Sequence, residues 1–253
     1  MIRTAILSLI VLAFTLRGAA QNNIFLSQGK IEFERKINQY AQREAITDPG
    51  DEAWVEFSKK FMGSKFKTDY FDLLFTRNKT LYRPGKESPD KPNQWFVQAP
   101  AQQNVIYADL EQGSSVSQKA VFEQTFLVAD TMRRIKWKIT DETRVIAGFN
   151  CRRANALIMD SIYVVAFYTD EILTSGGPES FSGLPGMILG IALPHEHVTW
   201  FATKVEAVPV QEVQLAPPAK GKRVTNTGLL ETIQQSLKDW GKQGRQFMWD
   251  TML

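Results

Sequence analysis

Cysteine is almost absent: Cys151 is the only one in a chain of 253 residues. That excludes an internal disulfide framework and any zinc finger built on paired cysteines. Histidine is nearly as scarce, and both copies fall in one tripeptide, His195-Glu196-His197. No G-x-S-x-G elbow, P-loop or dinucleotide-binding glycine fingerprint occurs. A Ser-His-Asp hydrolase would have only that one histidine pair to supply its base. Long basic runs are missing too. The tight cluster Lys220, Lys222 and Arg223 sits beside Pro217-Pro218 and Gly221 and reads as a solvated linker, so nucleic acid is not expected as a partner. What remains is ordinary globular composition, 43% hydrophobic and 23% charged, which excludes disorder, collagen and coiled coil. A chain of this length buries about 70% of its unfolded surface and needs neither disulfide nor metal to fold. No cofactor is implied.

One apolar run stands out at the start. Arg3 precedes the stretch 4–16, which is too short for the about 20 residues that span a bilayer. Gly18-Ala19-Ala20 then offers the small residues a signal peptidase requires. The expectation is a signal peptide over 1–20, cleaved after Ala20. It implies export to the periplasm or beyond the cell. Removing Arg3 and Arg17 from 30 bases leaves 28 against 27 acids, close to neutral. No later stretch approaches spanning length, so the mature chain is not expected to cross a membrane.

The body alternates with period two. Ile31, Phe33 and Ile37 fall on one side of a strand, with Glu32, Glu34 and Lys36 on the other. Asp51 is placed to cap a helix in which Trp54, Phe57 and Phe61 form an apolar stripe over 51–62. Phe71, Leu73 and Phe75 resume the alternation, and Asn78-Lys79 turns the chain into 80–82. Proline-rich 84–100 reads as loop with a short edge strand at 95–97. Further strands are expected at 105–110, 121–129 and 134–139 (Ile135, Trp137, Ile139). Others are expected where Val145, Ala147, Phe149 and Cys151 share a face, through Ile162, Val164 and Ala166, and over 187–193 and 198–205. Their short spacing favours antiparallel pairing. After a linker at 216–224, Leu230, Ile233, Leu237, Trp240 and Phe247 mark a C-terminal helix capped by Asn226 or Thr227 and weakened by Gly241 and Gly244. The fold class expected is mainly β (β-rich α+β). It is a curved antiparallel sheet or half-barrel in a single domain over 21–253, with one N-proximal and one C-terminal helix.

Residues 183–189 read G-L-P-G-M-I-L, preceded by Gly177-Pro178 and Phe181. Upstream, Trp137, Thr140, Glu142, Ile146, Gly148, Cys151 and Ala154 fit a W-x-x-T-x-E-x-x-x-I-x-G-x-x-C-x-x-A pattern, and Phe167-Tyr168-Thr169 precedes Glu171-Ile172. The stretch 120–206 resembles the GLPGLI family, with Met187 where leucine is usual, Phe167 where tryptophan is commoner and Gly190 where an acid often follows. The resemblance implies a secreted or periplasmic protein and no established activity.

The candidate site residues are those of the motif loop: Gly177, Pro178, Gly183, Leu184, Pro185, Gly186 and Met187. Proline then glycine at 185–186 is the pattern of a type II turn leading into a buried strand. The same loop is alternatively a contact surface with bare backbone. His195 and His197, on a strand, would share a face as two ligands of a metal, but nothing in the sequence supplies the others. Asp141-Glu142 and Asp170-Glu171 read as solvated turn acids, and Cys151 as packing. The function expected is a non-enzymatic envelope module that binds or carries a hydrophobic ligand or extended peptide between sheet and helices. The layout is similar to that of periplasmic lipoprotein carriers. The alternative is an interaction protein that docks an outer-membrane or envelope complex through its Gly/Pro-rich loops.

Overall fold

The computed structural model describes residues 25–88 and 101–253. The expected signal peptide and the edge strand at 95–97 lie outside the described residues. Among those described, twelve strands join one sheet. They are β1 (Gly29–Asn38), β2 (Phe66–Phe75), β3 (Lys79–Pro84), β4 (Val105–Asp109), β5 (Ser114–Val121), β6 (Gln124–Thr131), β7 (Lys138–Ile146), β8 (Phe149–Ile158), β9 (Ile162–Thr169), β10 (Met187–Leu193), β11 (Val198–Glu206) and β12 (Lys222–Val224). The order across the sheet is β12-β6-β5-β4-β3-β2-β1-β11-β10-β9-β8-β7. Pairing is antiparallel except for β12, which runs parallel to β6.

Connectivity shows that this sheet curls. β6 and β7 are ten strand spacings apart in the order, about 48 Å if the sheet were flat. The chain from Thr131 to Lys138 reaches at most about 25 Å. The sheet must therefore bend until both flanks approach one interior. The segment 132–137 is the crossing, not a strand, which corrects the alternation expected at 134–139. Its Trp137 faces inward because Nε1 donates to the Ser182 carbonyl at 2.9 Å.

The interior is lined by Ile31, Phe33, Phe71, Leu73, Phe75, Ile191 and Trp200, all essentially inaccessible. The alternation in β1 is as its sequence implies, with Arg35 on the same inner face as Ile31, Phe33 and Ile37. Two strands differ from expectation. The stretch 121–129 contains a hairpin turn at Phe122-Glu123, and β5 lies before it, its inner face reading Ser117, Lys119, Val121. Val145 is exposed while Cys151 is buried, because Ala147 (φ 50°) and Gly148 (φ 88°) form a two-residue hairpin turn between them.

Helices come in pairs rather than singly. α1 (Gln39–Ile46) and α2 (Glu52–Met62) follow β1. α2 buries Val55 and Ser58, and its expected apolar stripe points away: Trp54, Phe57 and Phe61 are 52%, 50% and 46% exposed. Those rings pack on one another instead, Trp54 stacked on Phe57 at 5.6 Å and Phe57 tilted against Phe61 at 4.7 Å between centroids. At the other end α3 (Asn226–Ser236) and α4 (Gly241–Met252) replace one long helix, and the 216–224 linker contains β12. Thr225, not Asn226 or Thr227, caps α3 by accepting from the Gly228 N–H at 3.1 Å. Gly241, at φ 54°, starts α4 in a left-handed conformation that breaks the helix. Leu229, Ile233 and Leu237 pack on Val121, Phe126 and Val128, while Trp249 and Leu253 reach the main core. No helix of the described residues is long and apolar enough to cross a membrane.

Candidate functional site

Between β9 and β10 the chain runs through residues 170–186 without regular structure, yet much of it is buried. Ile172, Thr174, Phe181 and Leu184 are almost wholly inaccessible. A buried loop must satisfy its own backbone polar groups, and this one does so piecewise. Leu26 lies opposite Ile172, its N–H donating to the Glu171 carbonyl and its carbonyl accepting from the Leu173 N–H, both at 2.9 Å. Gly183 N–H donates to Ser175, Ile188 N–H to Gly176, and Thr174 Oγ1 to the Thr76 carbonyl on the β2–β3 hairpin.

The motif residues divide accordingly. Gly177, Pro178, Leu184, Gly186 and Met187 are buried, whereas Gly183 and Pro185 are exposed. A Cβ on Gly177 would lie 2.8 Å from the Phe181 carbonyl oxygen, so glycine is what lets the loop fold back on itself. The expected type II turn is not formed. Gly186 N–H donates to Leu184 at 2.8 Å, a three-residue turn around Pro185, while Met187 N–H donates to Ile172. Gly186 sits at φ 137° with the Thr169 carbonyl oxygen 2.0 Å from where its Cβ would be.

The loop delivers a group that the sequence does not single out. Glu179, at φ 50° and 4% exposed, extends into the curled interior, where Oε2 accepts from Asn104 Nδ2 at 2.9 Å. Burial raises its pKa, with nearby Lys119 and Arg35 opposing the rise. Lys119, on the inner face of β5 and 5% exposed, donates from Nζ to the Thr251 carbonyl in the last turn of α4 at 2.7 Å. Burial lowers its pKa to about 8, Glu179 opposing and Arg133 reinforcing. Arg133, in the crossing segment, donates from Nη2 to the neighbouring Met252 carbonyl. Arg35 lies over the Trp200 ring at 5.6 Å, and Tyr82 stacks on Phe71. Asp250 retains some accessible surface, so water tempers its shift. Crowding by protein still pushes its carboxyl up to about 7, Arg35 opposing and Glu196 and Glu179 adding.

Beside these groups lies a cavity of about 50 Å³, lined by Lys119, Arg133, Glu179, Ser180, Ser117 and Met252 among others. Arg133 Nη1, Glu179 Oε1 and Ser180 Oγ are buried there without a hydrogen-bond partner; the Tyr82 hydroxyl lies near the Glu179 carboxyl without forming a bond to it. The space admits a few waters and falls far short of the roughly 300–1,000 Å³ of a small-molecule pocket.

The other candidates are separate from this cluster. His195 and Glu196 occupy a one-turn 3-10 helix, Pro194–Glu196, and His197 follows at φ 53°. They are thus not on a strand, and the common face expected for the two imidazoles is not formed by strand alternation. Among the described residues no group of three or more His, Cys, Asp or Glu side chains is placed to hold a metal ion. Glu142 pairs with Arg153, and Glu171 accepts from the Asn150 N–H, so these acids have structural partners. Burial, reinforced by Glu171, pushes the Cys151 thiol up to about 12, opposite to what adjacent Arg152 and Arg153 would do. Arg35 and Lys119 leave a faint signal: each is a lone charge at an inner position of a strand.

Residues 157–190, from the end of β8 through the buried loop into β10, match a family model described as "Protein of unknown function (Porph_ging)". No curated protein matches the chain. Solved structures do. Two crystal forms of PNGF-II superpose with TM-scores of 0.51 and 0.50 at 14% identity, over 83% and 88% of this chain. The chain spans about a third of their length, 34% and 33%. At that identity the likeness concerns the fold alone.

Proposed function

We propose that the protein is a non-enzymatic binding or carrier module of the cell envelope, a member of the GLPGLI family exported by a signal peptide over 1–20, and that its ligand is apolar or an extended peptide. The observation that carries this is the way the curled sheet is filled. Its apolar inner face is covered at one end by α3 and α4, which come late in the chain and hold a small core of their own around Leu229, Ile233 and Leu237. The joint at Gly241 and the exposed turn 238–240 separate α4 from α3. A 50 Å³ cavity cannot hold such a ligand. In this reading α4 yields its place, and bound ligand takes over its contacts.

Organic extraction and mass spectrometry of the full chain, purified from its native envelope, test the reading. One apolar molecule or peptide per chain supports it. Protein that carries nothing, and takes up nothing when incubated with envelope extract, refutes it.

A second reading, docking to an envelope complex, draws on a different surface from the one the sequence suggests. The Gly/Pro-rich loop is mostly buried, whereas the rings of Trp54 and Phe57 are half-exposed on α2. Loss of co-purifying envelope protein on replacing both with serine would favour it.

A further inference from the structure

We propose that the cavity beneath the last turn of α4 is the head-group seat for an amphiphile with an anionic head, a carboxylate or phosphate monoester, and that the end of α4 occupies this seat when ligand is absent. The inference rests on the carrier reading and names the ligand class that reading leaves open.

The end of α4 has the chemistry of such a molecule. A helix C-terminus presents unpaired carbonyls and partial negative charge. Here the carbonyls of Thr251 and Met252 accept from Lys119 on β5 and from Arg133, just past the end of the neighbouring β6. Immediately beside those carbonyls, the side chains of Trp249, Met252 and Leu253 enter the apolar clusters, as an acyl chain would. When α4 moves out, both cations lose their acceptors and Asp250 leaves with the helix. The titratable groups lining the cavity are then Lys119 and Arg133 against one carboxyl, Glu179, which burial already favours in its neutral form.

Unused hydrogen-bonding capacity points the same way. Arg133 Nη1, Ser180 Oγ and Glu179 Oε1 are buried at the cavity without partners, a costly arrangement unless something completes it. The carboxyl, which burial favours in its neutral form, can then donate to an oxyanion as well. An oxyanion with two or three oxygens can accept from Lys119, Arg133 and Ser180 together, as two helix carbonyls cannot. A cationic or neutral head would leave Lys119 and Arg133 with Glu179 alone to balance them in a buried site.

The test is binding of C14 amphiphiles below their micelle concentration to the full chain, read by isothermal calorimetry. The ligands are tetradecanoate, monotetradecyl phosphate, tetradecanol and tetradecyltrimethylammonium. The anions are expected to bind about tenfold or more tighter than the alcohol, and the cation weakest. Whichever anion binds tighter identifies the head. Combining Lys119→Met with Arg133→Gln should bring the anions to the level of the alcohol, whose own binding should tighten because the variant also removes the two bonds that hold α4 in the seat. Circular dichroism checks that the variant is folded, and Arg133→Gln alone, at a half-buried site, serves if the double variant is not. Equal binding of all four heads, or anion preference that survives loss of both cations, overturns the head-group seat while the carrier reading stands. Failure of all four to bind overturns the head-group seat, while the carrier reading is decided by the extraction experiment.

Discussion

Lys119 Nζ on β5 and the carbonyl of Thr251 on α4 are joined by a 2.7 Å hydrogen bond inside the protein. A strand near one flank of the sheet thus holds the last turn of the last helix. Lysine at a helix C-terminus is the favourable sense for the helix dipole. It is also a buried cation, so the seat of α4 depends on protonation.

Stability should therefore carry a defined pH signature. Asp250, raised from 3.8 to about 7, is surrounded by Arg35 from β1, Glu196 from the 3-10 turn and Glu179 from the loop. A folded pKa above the unfolded one means that the native state binds the proton more tightly. The stabilisation is complete below about pH 4 and is lost as pH rises towards 7. For Lys119 the folded pKa is depressed from 10.5 to about 8, so stability instead rises with pH across that window. Urea midpoints at pH 5 and pH 7.5 check the first effect. Asp250→Asn should raise the midpoint at pH 7.5 more than at pH 5; an equal change at both pH values would contradict the assignment.

Two glycines of the motif should respond very differently to alanine. At Gly186 a Cβ would overlap the Thr169 carbonyl oxygen at 2.0 Å, and the expected loss is about 3 kcal/mol or more. At Gly183 the nearest atom is Trp137 Nε1 at 3.9 Å, leaving only the cost of a positive φ, about 1–2 kcal/mol. Thermal or urea unfolding of the two variants measures the difference.

The α2 aromatics provide a third check. If Trp54 and Phe57 face solvent, replacing either with serine costs about 1 kcal/mol or less, mostly lost ring stacking. Burial of the stripe would make the same change cost about 3–5 kcal/mol.

That stripe illustrates where the sequence is legible. Period-two alternation locates β1, β9 and β11 because their inner faces are apolar, and a continuous apolar run locates β10. It misses β5 because the inner face there is Ser117 and Lys119. It extends a strand back over 134–137, where alternating residues belong to a segment that crosses between flanks, β7 starting only at Lys138. In α2 the i, i+3, i+7 aromatics mark a helix but not its buried side, which Val55 and Ser58 supply. The motif loop is readable as a glycine-dependent turn, since Gly177 and Gly186 admit no side chain. Its buried cargo, Glu179, is not: only folding brings it to Asn104, Lys119 and Arg35, which come from separate parts of the chain.

Hydrogen–deuterium exchange of the full chain, with and without an extract of its native envelope lipids, tests the central claim most directly. If α4 yields its place to ligand, amides of α4 should lose protection when extract is added, while β1, β10 and β11 keep theirs. Binding accompanied by unchanged or increased protection across 241–252 would contradict it, because the ligand would then sit elsewhere and α4 would be permanent core.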